Sequence, residues 1–240
     1  MRKFLLALGL LLALAALLSS PAESSAPWTG AARQGQMAVG VTGGLTQPIG
    51  QLGDDVRLDA HIGDSGLNLA AGLNGGGYAD YFLTHRFALG VFAQGGELHM
   101  NDLKVNTGSG TRTFEKLVTG RTTMLGLYGK YYFRPRGSWS SYSYLGAAHV
   151  DRKANLSRDI LELYPGATVF EMRDDRVGWV AGLGSEYAWN DRLSLGLVAS
   201  LDYSGELDHD FQWMGHQTVV HDWSFVTLHA TMSWHLGVGQ

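Results

Sequence analysis

Leu193-Ser-Leu-Gly-Leu-Val-Ala-Ser-Leu-Asp-Tyr203 decides the architecture of this chain. Its odd positions, Leu193, Leu195, Leu197, Ala199, Leu201 and Tyr203, are apolar. Its even positions, Ser194, Gly196, Val198, Ser200 and Asp202, are mostly small or polar. A strand sends alternate side chains to opposite faces, so this segment has one greasy face and one small, polar face. Val177, Trp179, Ala181, Leu183, Tyr187 and Trp189 repeat the pattern against Gly178, Gly182, Gly184 and Glu186. So do Val226, Leu228, Ala230, Met232, Trp234 and Leu236 against Thr227, His229, Thr231, Ser233 and His235, and Leu67, Leu69, Ala71 and Leu73 against Asn68, Gly72 and Asn74.

Extending this reading predicts eight strands, at about 36–48, 67–83, 87–100, 119–133, 142–154, 176–189, 193–207 and 221–237. Most have 13 or more residues, where a globular strand has about 5–6. A tilted strand crosses a bilayer in about 9–11 residues, so these are long enough to span one. Connections alternate in length. Residues 84–86 and 190–192 are tight turns and 134–141 is a moderate one, whereas 49–66, 101–118, 155–175 and 208–220 are long and polar. Short turns on one side and long loops on the other characterise transmembrane barrels. An internal echo at an offset of 106 residues supports repeated hairpins: Gly76, Asp80, Tyr81, Arg86, Leu89, Gly90 and Ala93 return as Gly182, Glu186, Tyr187, Arg192, Leu195, Gly196 and Ala199.

The amino terminus carries an export signal. Arg2 and Lys3 precede an apolar run from Phe4 to Leu18, too short for a spanning helix, and Ser20-Pro21-Ala22 supplies small residues for cleavage. The expected organisation is a signal peptide at 1–22, with a second cleavage option at 26, a short linker at 23–35 and a barrel at 36–240. Losing Arg2 and Lys3 moves the net charge from −4 to −6. That acidity offers no basic surface to nucleic acid. The absence of Cys removes disulfide scaffolds, thiolate enzymes and Cys-anchored lipoproteins.

Composition agrees with a membrane barrel. Charged residues make up 17% of the chain, against about 25% in soluble domains, and there are 33 Gly among 240 residues. Apolar side chains suit acyl chains outside, and glycines leave room inside a narrow lumen. Eight strands enclose a space that side chains can fill. The inward set includes Asp80, Gln94, Lys130, Glu186, Asp202, His229 and His235, read as a polar network built around Lys130. Tyr81, Tyr131, Phe133, Tyr142, Tyr187 and Trp189 lie near strand ends by the short turns, where an interfacial aromatic girdle belongs. A water-soluble closed barrel, greasy inside, is the competing fold.

Gly-Leu-Tyr-Gly-Lys-Tyr-Tyr-Phe at 126–133, Tyr-Ser-Tyr-Leu-Gly-Ala-Ala at 142–148 and Gly-Leu-Gly-Ser-Glu-Tyr-Ala-Trp-Asn-Asp-Arg-Leu-Ser-Leu at 182–195 resemble the small outer-membrane protein β-barrel domain family of the OmpA, OmpX and OmpW kind. The resemblance covers essentially the whole mature chain. It implies a bacterial outer-membrane address and an all-β, eight-stranded antiparallel up-and-down barrel. It also implies a terminal aromatic, whereas here Trp234 is followed by six further residues.

Catalytic and metal motifs are weak. Asp208, His209, Asp210 and His216 have no recognised ligand spacing. His221 and Ser224 are three apart in a predicted strand and so face opposite ways, which argues against a shared nucleophilic site with Asp222. Gly75-Gly76-Gly77 lies within a strand, where Gly marks a bulge or close approach. Basic residues in the long segments, Arg152, Lys153, Arg158, Arg173 and Arg176 in 151–176 and Lys104, Arg112 and Lys116 in 101–118, suit lipopolysaccharide phosphates. The expectation is a non-catalytic, monomeric barrel without cofactor, serving envelope integrity or surface interaction through its loops. Its partners would be outer-membrane lipid, lipopolysaccharide and a possible surface ligand. A porin-like channel is the first alternative and a lipid-modifying enzyme the second.

Overall fold

A strand in hydrocarbon must pair both of its edges, because no water is there to satisfy N–H and C=O groups. This chain meets that demand by closing its sheet. The computed structural model describes residues 33–49, 70–99, 103–107, 110–114, 118–133, 138–157, 171–205, 211–213, 216–218 and 224–237. The strands are β1 (Met37–Ile49), β2 (Gly72–Phe82), β3 (Phe87–His99), β4 (Leu103–Thr107), β5 (Gly110–Phe114), β6 (Val118–Tyr132), β7 (Trp139–Leu156), β8 (Glu171–Ala188), β9 (Leu193–Tyr203), β10 (Phe211–Trp213), β11 (His216–Thr218) and β12 (Ser224–Leu236). Eight of them form a closed antiparallel barrel in the order β1-β12-β9-β8-β7-β6-β3-β2. The seam pairs β1 with β12 over its full length, from Met37 opposite Leu236 to Ile49 opposite Ser224.

The eight expected strands are these eight, with shifted ends. Strand β2 begins at Gly72 rather than 67, and Leu67 and Leu69 lie outside the described residues. Strands β7 and β8 each run 18 residues, so they take up part of the expected 155–175 loop. The segments 101–118 and 208–220, expected as loops, contain the small hairpins β4–β5 and β10–β11. Gly75-Gly76-Gly77 introduces no bulge: its pairing with Gly95, Gln94 and Ala93 is continuous.

The two tight turns close through side chains that mimic backbone acceptors. Thr84 Oγ1 accepts the N–H groups of Arg86 and Phe87, and Asn190 Oδ1 accepts those of Arg192 and Leu193. At about 3.3 Å per residue and a tilt near 40°, the 11 residues of β2 or β9 rise about 28 Å, enough for an apolar band of about 25 Å. The longer β7 and β8 therefore project beyond the bilayer on the long-loop side.

Even positions point inward in every barrel strand except β12, where the odd ones do. Ala38, Asp80, Ala88, Lys130, Ser140, Glu186 and Ser194 are buried, as are Ser233 and His235 of β12. The greasy set is outside, with Leu127 65% and Val177 78% exposed. That excludes the soluble barrel, which would bury those residues against one another and turn the serines and acids to solvent.

Candidate functional site

The lumen is where this barrel concentrates its polar chemistry, and its shape comes from rings lying over glycines. Tyr78 stands directly opposite Gly40 on the neighbouring strand, Tyr128 opposite Gly90, Tyr142 opposite Gly184, and Phe92 opposite Gly126. A Cβ built on Gly40, Gly90 or Gly184 would sit 2.4 Å from the ring it faces. Each ring thus lies flat across the neighbouring strand, using space that only glycine leaves. This packs the lumen with aromatic layers: Tyr128 touches Phe92 and Tyr144, and Tyr132 touches Phe82 and Tyr142.

The first ionic group sits within these rings. Lys130 Nζ lies 2.5 Å from Asp80 Oδ2, and Tyr128 donates its hydroxyl to Asp80 Oδ1 at 2.5 Å. Lys130 is on β6 and Asp80 on β2, with β3 between them. Gly90 of β3 opens the gap, since a Cβ there would come within 2.4 Å of both Asp80 Oδ1 and the Tyr128 ring. The Lys130 ammonium also lies over the ring of Tyr142 at 4.6 Å and over that of Tyr78 at 5.2 Å. An ion pair this deeply buried is tolerable because both partners are hydrogen-bonded.

A second group closes the mouth beside the short turns. Arg33, just ahead of β1, inserts its guanidinium 2.9 Å from Glu186 Oε1 and donates to Ser140 Oγ at 3.2 Å. It lies over Tyr132 at 4.7 Å and Phe82 at 5.5 Å. His235 Nε2 meets Ser194 Oγ at 3.0 Å close by.

A third group fills the opposite mouth. Arg152 pairs with Asp174 and donates to the carbonyls of Ser204 and Gly205, while Arg176 Nε reaches Asp174 at 3.2 Å. Below it Asp202 accepts hydroxyl hydrogens from Thr227 at 3.0 Å and Ser200 at 3.4 Å. Between the layers a cavity of about 60 Å³ is lined by Thr42, Gln94, Tyr144, His229 and Thr231, among others. A cavity needs about 10–15 Å³ to hold one water, so this polar space has room for water.

The seven inward candidates thus do not join into one network around Lys130. Asp80 pairs with Lys130, but Glu186 pairs with Arg33, and Asp202 is held by hydroxyls. Gln94 donates to Met124 Sδ at 3.3 Å and, like His229, lines the cavity. Lys130 faces the same cavity as Gln94 and His229, but its ion pair is with Asp80 alone, and the other acids have partners of their own.

Among the girdle candidates, Tyr81, Tyr131, Phe133 and Trp189 are exposed on the outer face, and Tyr187 packs on Trp139 at 5.1 Å. Tyr142 is a correction. It is 4% exposed and points into the lumen, because it occupies an even position of β7 and takes the inward face with Ser140 and Tyr144. Ten residues before Trp189, on β8, Trp179 packs on Tyr203, about 25 Å higher at the strand rise and tilt above. That spacing matches a second interfacial level.

Arg33, Tyr78, Tyr128, Tyr132 and Tyr144 were not among the expected site residues, and Arg152, expected with the basic loop residues outside the barrel, is instead buried in the lumen beside Asp174. The tyrosines and Arg152 carry the even parity that marks the lumen, and that parity was the signal available. Arg33 precedes any alternation and had none. Of the weak catalytic and metal candidates, Asp208, His209, Asp210, His221 and Asp222 lie outside the described residues. Ser224 is buried at the end of β12.

Comparison with known proteins agrees with this geometry. The family model for the outer membrane protein β-barrel domain matches residues 10–218. The outer membrane protein OprG of Pseudomonas aeruginosa superposes with a TM-score of 0.55 at 13% identity, covering 86% of this chain and 98% of that one. Neisserial surface protein A superposes with a TM-score of 0.52 at 12% identity, covering 82% and 96%. No curated protein matches the sequence.

Proposed function

The chain belongs to the outer membrane protein β-barrel domain family, and from that premise we propose that this outer-membrane barrel is a sealed, non-catalytic, monomeric element of the envelope. The observation that carries this reading is the stack of three ionic groups along the lumen: Arg33–Glu186, Lys130–Asp80 and Arg152–Asp174. A continuous aqueous pore would hydrate such pairs, whereas here their side chains are almost wholly buried. A leader at 1–22 delivers the chain, and the work falls to the outer rim and loops.

The outer rim suits a lipid phosphate. Arg121, Lys153 and Arg173 are direct cross-strand neighbours on the outward face of β6, β7 and β8, above the apolar belt. Arg121 bonds Glu97 at 3.0 Å and Arg173 bonds Asp151 at 2.9 Å. Exposed pairs of this kind are worth about 1 kcal/mol or less, so a phosphate with its charge-assisted hydrogen bonds competes for the cations. Lipopolysaccharide is the outer-leaflet partner with that chemistry.

Planar-bilayer recording tests the sealed lumen. The folded wild-type chain should give no conductance steps above the bare membrane. Regular steps would instead support the channel reading.

A further inference from the structure

We infer that residues 33–36 form a built-in stopper, and that the pocket they fill is a guanidinium-binding site at the mouth beside the short turns, occupied in cis by Arg33. The inference rests on the sealed-lumen reading and adds how one end is sealed.

The backbone of this hook is a turn. Gly35 adopts φ +78°, a conformation that glycine enters without steric cost. Its N–H donates to the Phe82 carbonyl at 2.8 Å, Phe82 N–H donates to the Gln36 carbonyl at 3.0 Å, and Gln36 N–H donates to the Arg33 carbonyl at 3.0 Å. These bonds turn the chain under the barrel and aim Arg33 upward, so that it is 2% exposed although it belongs to no strand.

The receptor is assembled from four strands. Glu186 of β8 supplies the carboxylate, Ser140 of β7 a hydroxyl acceptor, and Phe82 of β2 and Tyr132 of β6 the aromatic faces. A hydroxyl acceptor at the edge, a carboxylate 2.9 Å away and rings over the face fit a flat cation, which is guanidinium and not ammonium. Withdrawing Arg33 leaves a carboxylate stranded among rings, a costly state that a free guanidinium ion relieves. Ala38 and Ala88, both fully buried, pack in one cluster with Phe82 and Tyr132, the rings that Arg33 covers. The far mouth has its own closure in Arg152–Asp174, so removing the stopper opens a blind vestibule and not a through-channel.

The chain has no Cys, so single-cysteine reporters are unambiguous. The mature chain carrying Ala88→Cys is folded into phospholipid vesicles, its folding checked by heat-modifiable migration, and its reaction with methyl methanethiosulfonate is timed. With Arg33 present the reporter should stay protected. Arg33→Ala should raise its rate by about tenfold or more, because protection follows the population of open states. Guanidinium chloride at tens of millimolar should restore protection where equal sodium chloride does not, and Arg33→Ala with Glu186→Gln should lose that rescue. A Val150→Cys reporter, buried at the far end, should be unmoved by Arg33→Ala. If Ala88→Cys does not fold, Ala38→Cys takes its place.

The stopper is refuted if the reporter stays protected without Arg33, or if Val150→Cys becomes reactive as well. The guanidinium site is refuted if rescue is absent or survives Glu186→Gln. Rapid reaction with Arg33 in place overturns the sealed lumen itself.

Discussion

The same strands carry glycines on both faces, and the two sets differ in what surrounds them. On the lumenal face Gly40, Gly90 and Gly184 each leave room for a tyrosine ring, and an added Cβ would fall 2.4 Å from it. On the lipid face Gly43, Gly75, Gly77 and Gly95 lie on β1, β2 and β3, and the nearest atom to an added Cβ is 3.3 Å away. Nothing in the structure explains why those four are glycine. At these positions glycine creates a site inside the barrel, and outside it only lowers the surface.

Four substitutions would break or sharpen that contrast. The largest effect is expected from Lys130→Met, which strands Asp80 in the lumen and should cost about 3–5 kcal/mol of unfolding free energy. Urea titration in micelles, followed by heat-modifiable migration, measures it, and a loss below 1 kcal/mol would mean that the lumen is wetter than its packing suggests. Next is Leu127→Arg on the lipid face, where a midplane cation should cost about 2–4 kcal/mol; retention of wild-type stability in a bilayer would show that β6 does not face lipid at that level. Gly90→Ala, which pushes a methyl between Asp80 and Tyr128, should cost about 1–3 kcal/mol. Gly43→Ala should change stability by no more than about 0.5 kcal/mol. If Gly43→Ala matched Gly90→Ala, the division between the two faces would fail.

Much of the fold was legible because a closed sheet in lipid repeats one simple constraint. Each barrel strand from Met37 to Leu236 shows the period-two pattern, and Thr84 and Asn190 mark turns by their own side-chain chemistry. The projecting hairpins were not legible. Lys104, Asn106, Thr111 and Thr113 are polar enough to read as loop, yet β4 and β5 pair over these residues above the barrel, where water satisfies a free edge and no apolar face is needed. Tyr142 was misassigned by giving its distance from a turn more weight than its parity.

The candidate site was legible as a set and not as a set of pairs. Parity placed Asp80, Lys130 and Glu186 in the lumen, where all three are buried. It could not show that Lys130 reaches Asp80 across β3 through the space above Gly90, or that Glu186 is matched by Arg33.

The amino-acid sequence by itself determined an alternating chain whose greasy face is too continuous for water, because strand periodicity and hydropathy are local properties of neighbouring residues. Only the tertiary structure decided which charge neutralises which, where rings lie over glycines and what closes the lumen at each end. Those relations depend on strand register and on the radius of the closed barrel, which bring together residues as distant as Arg33 and Glu186.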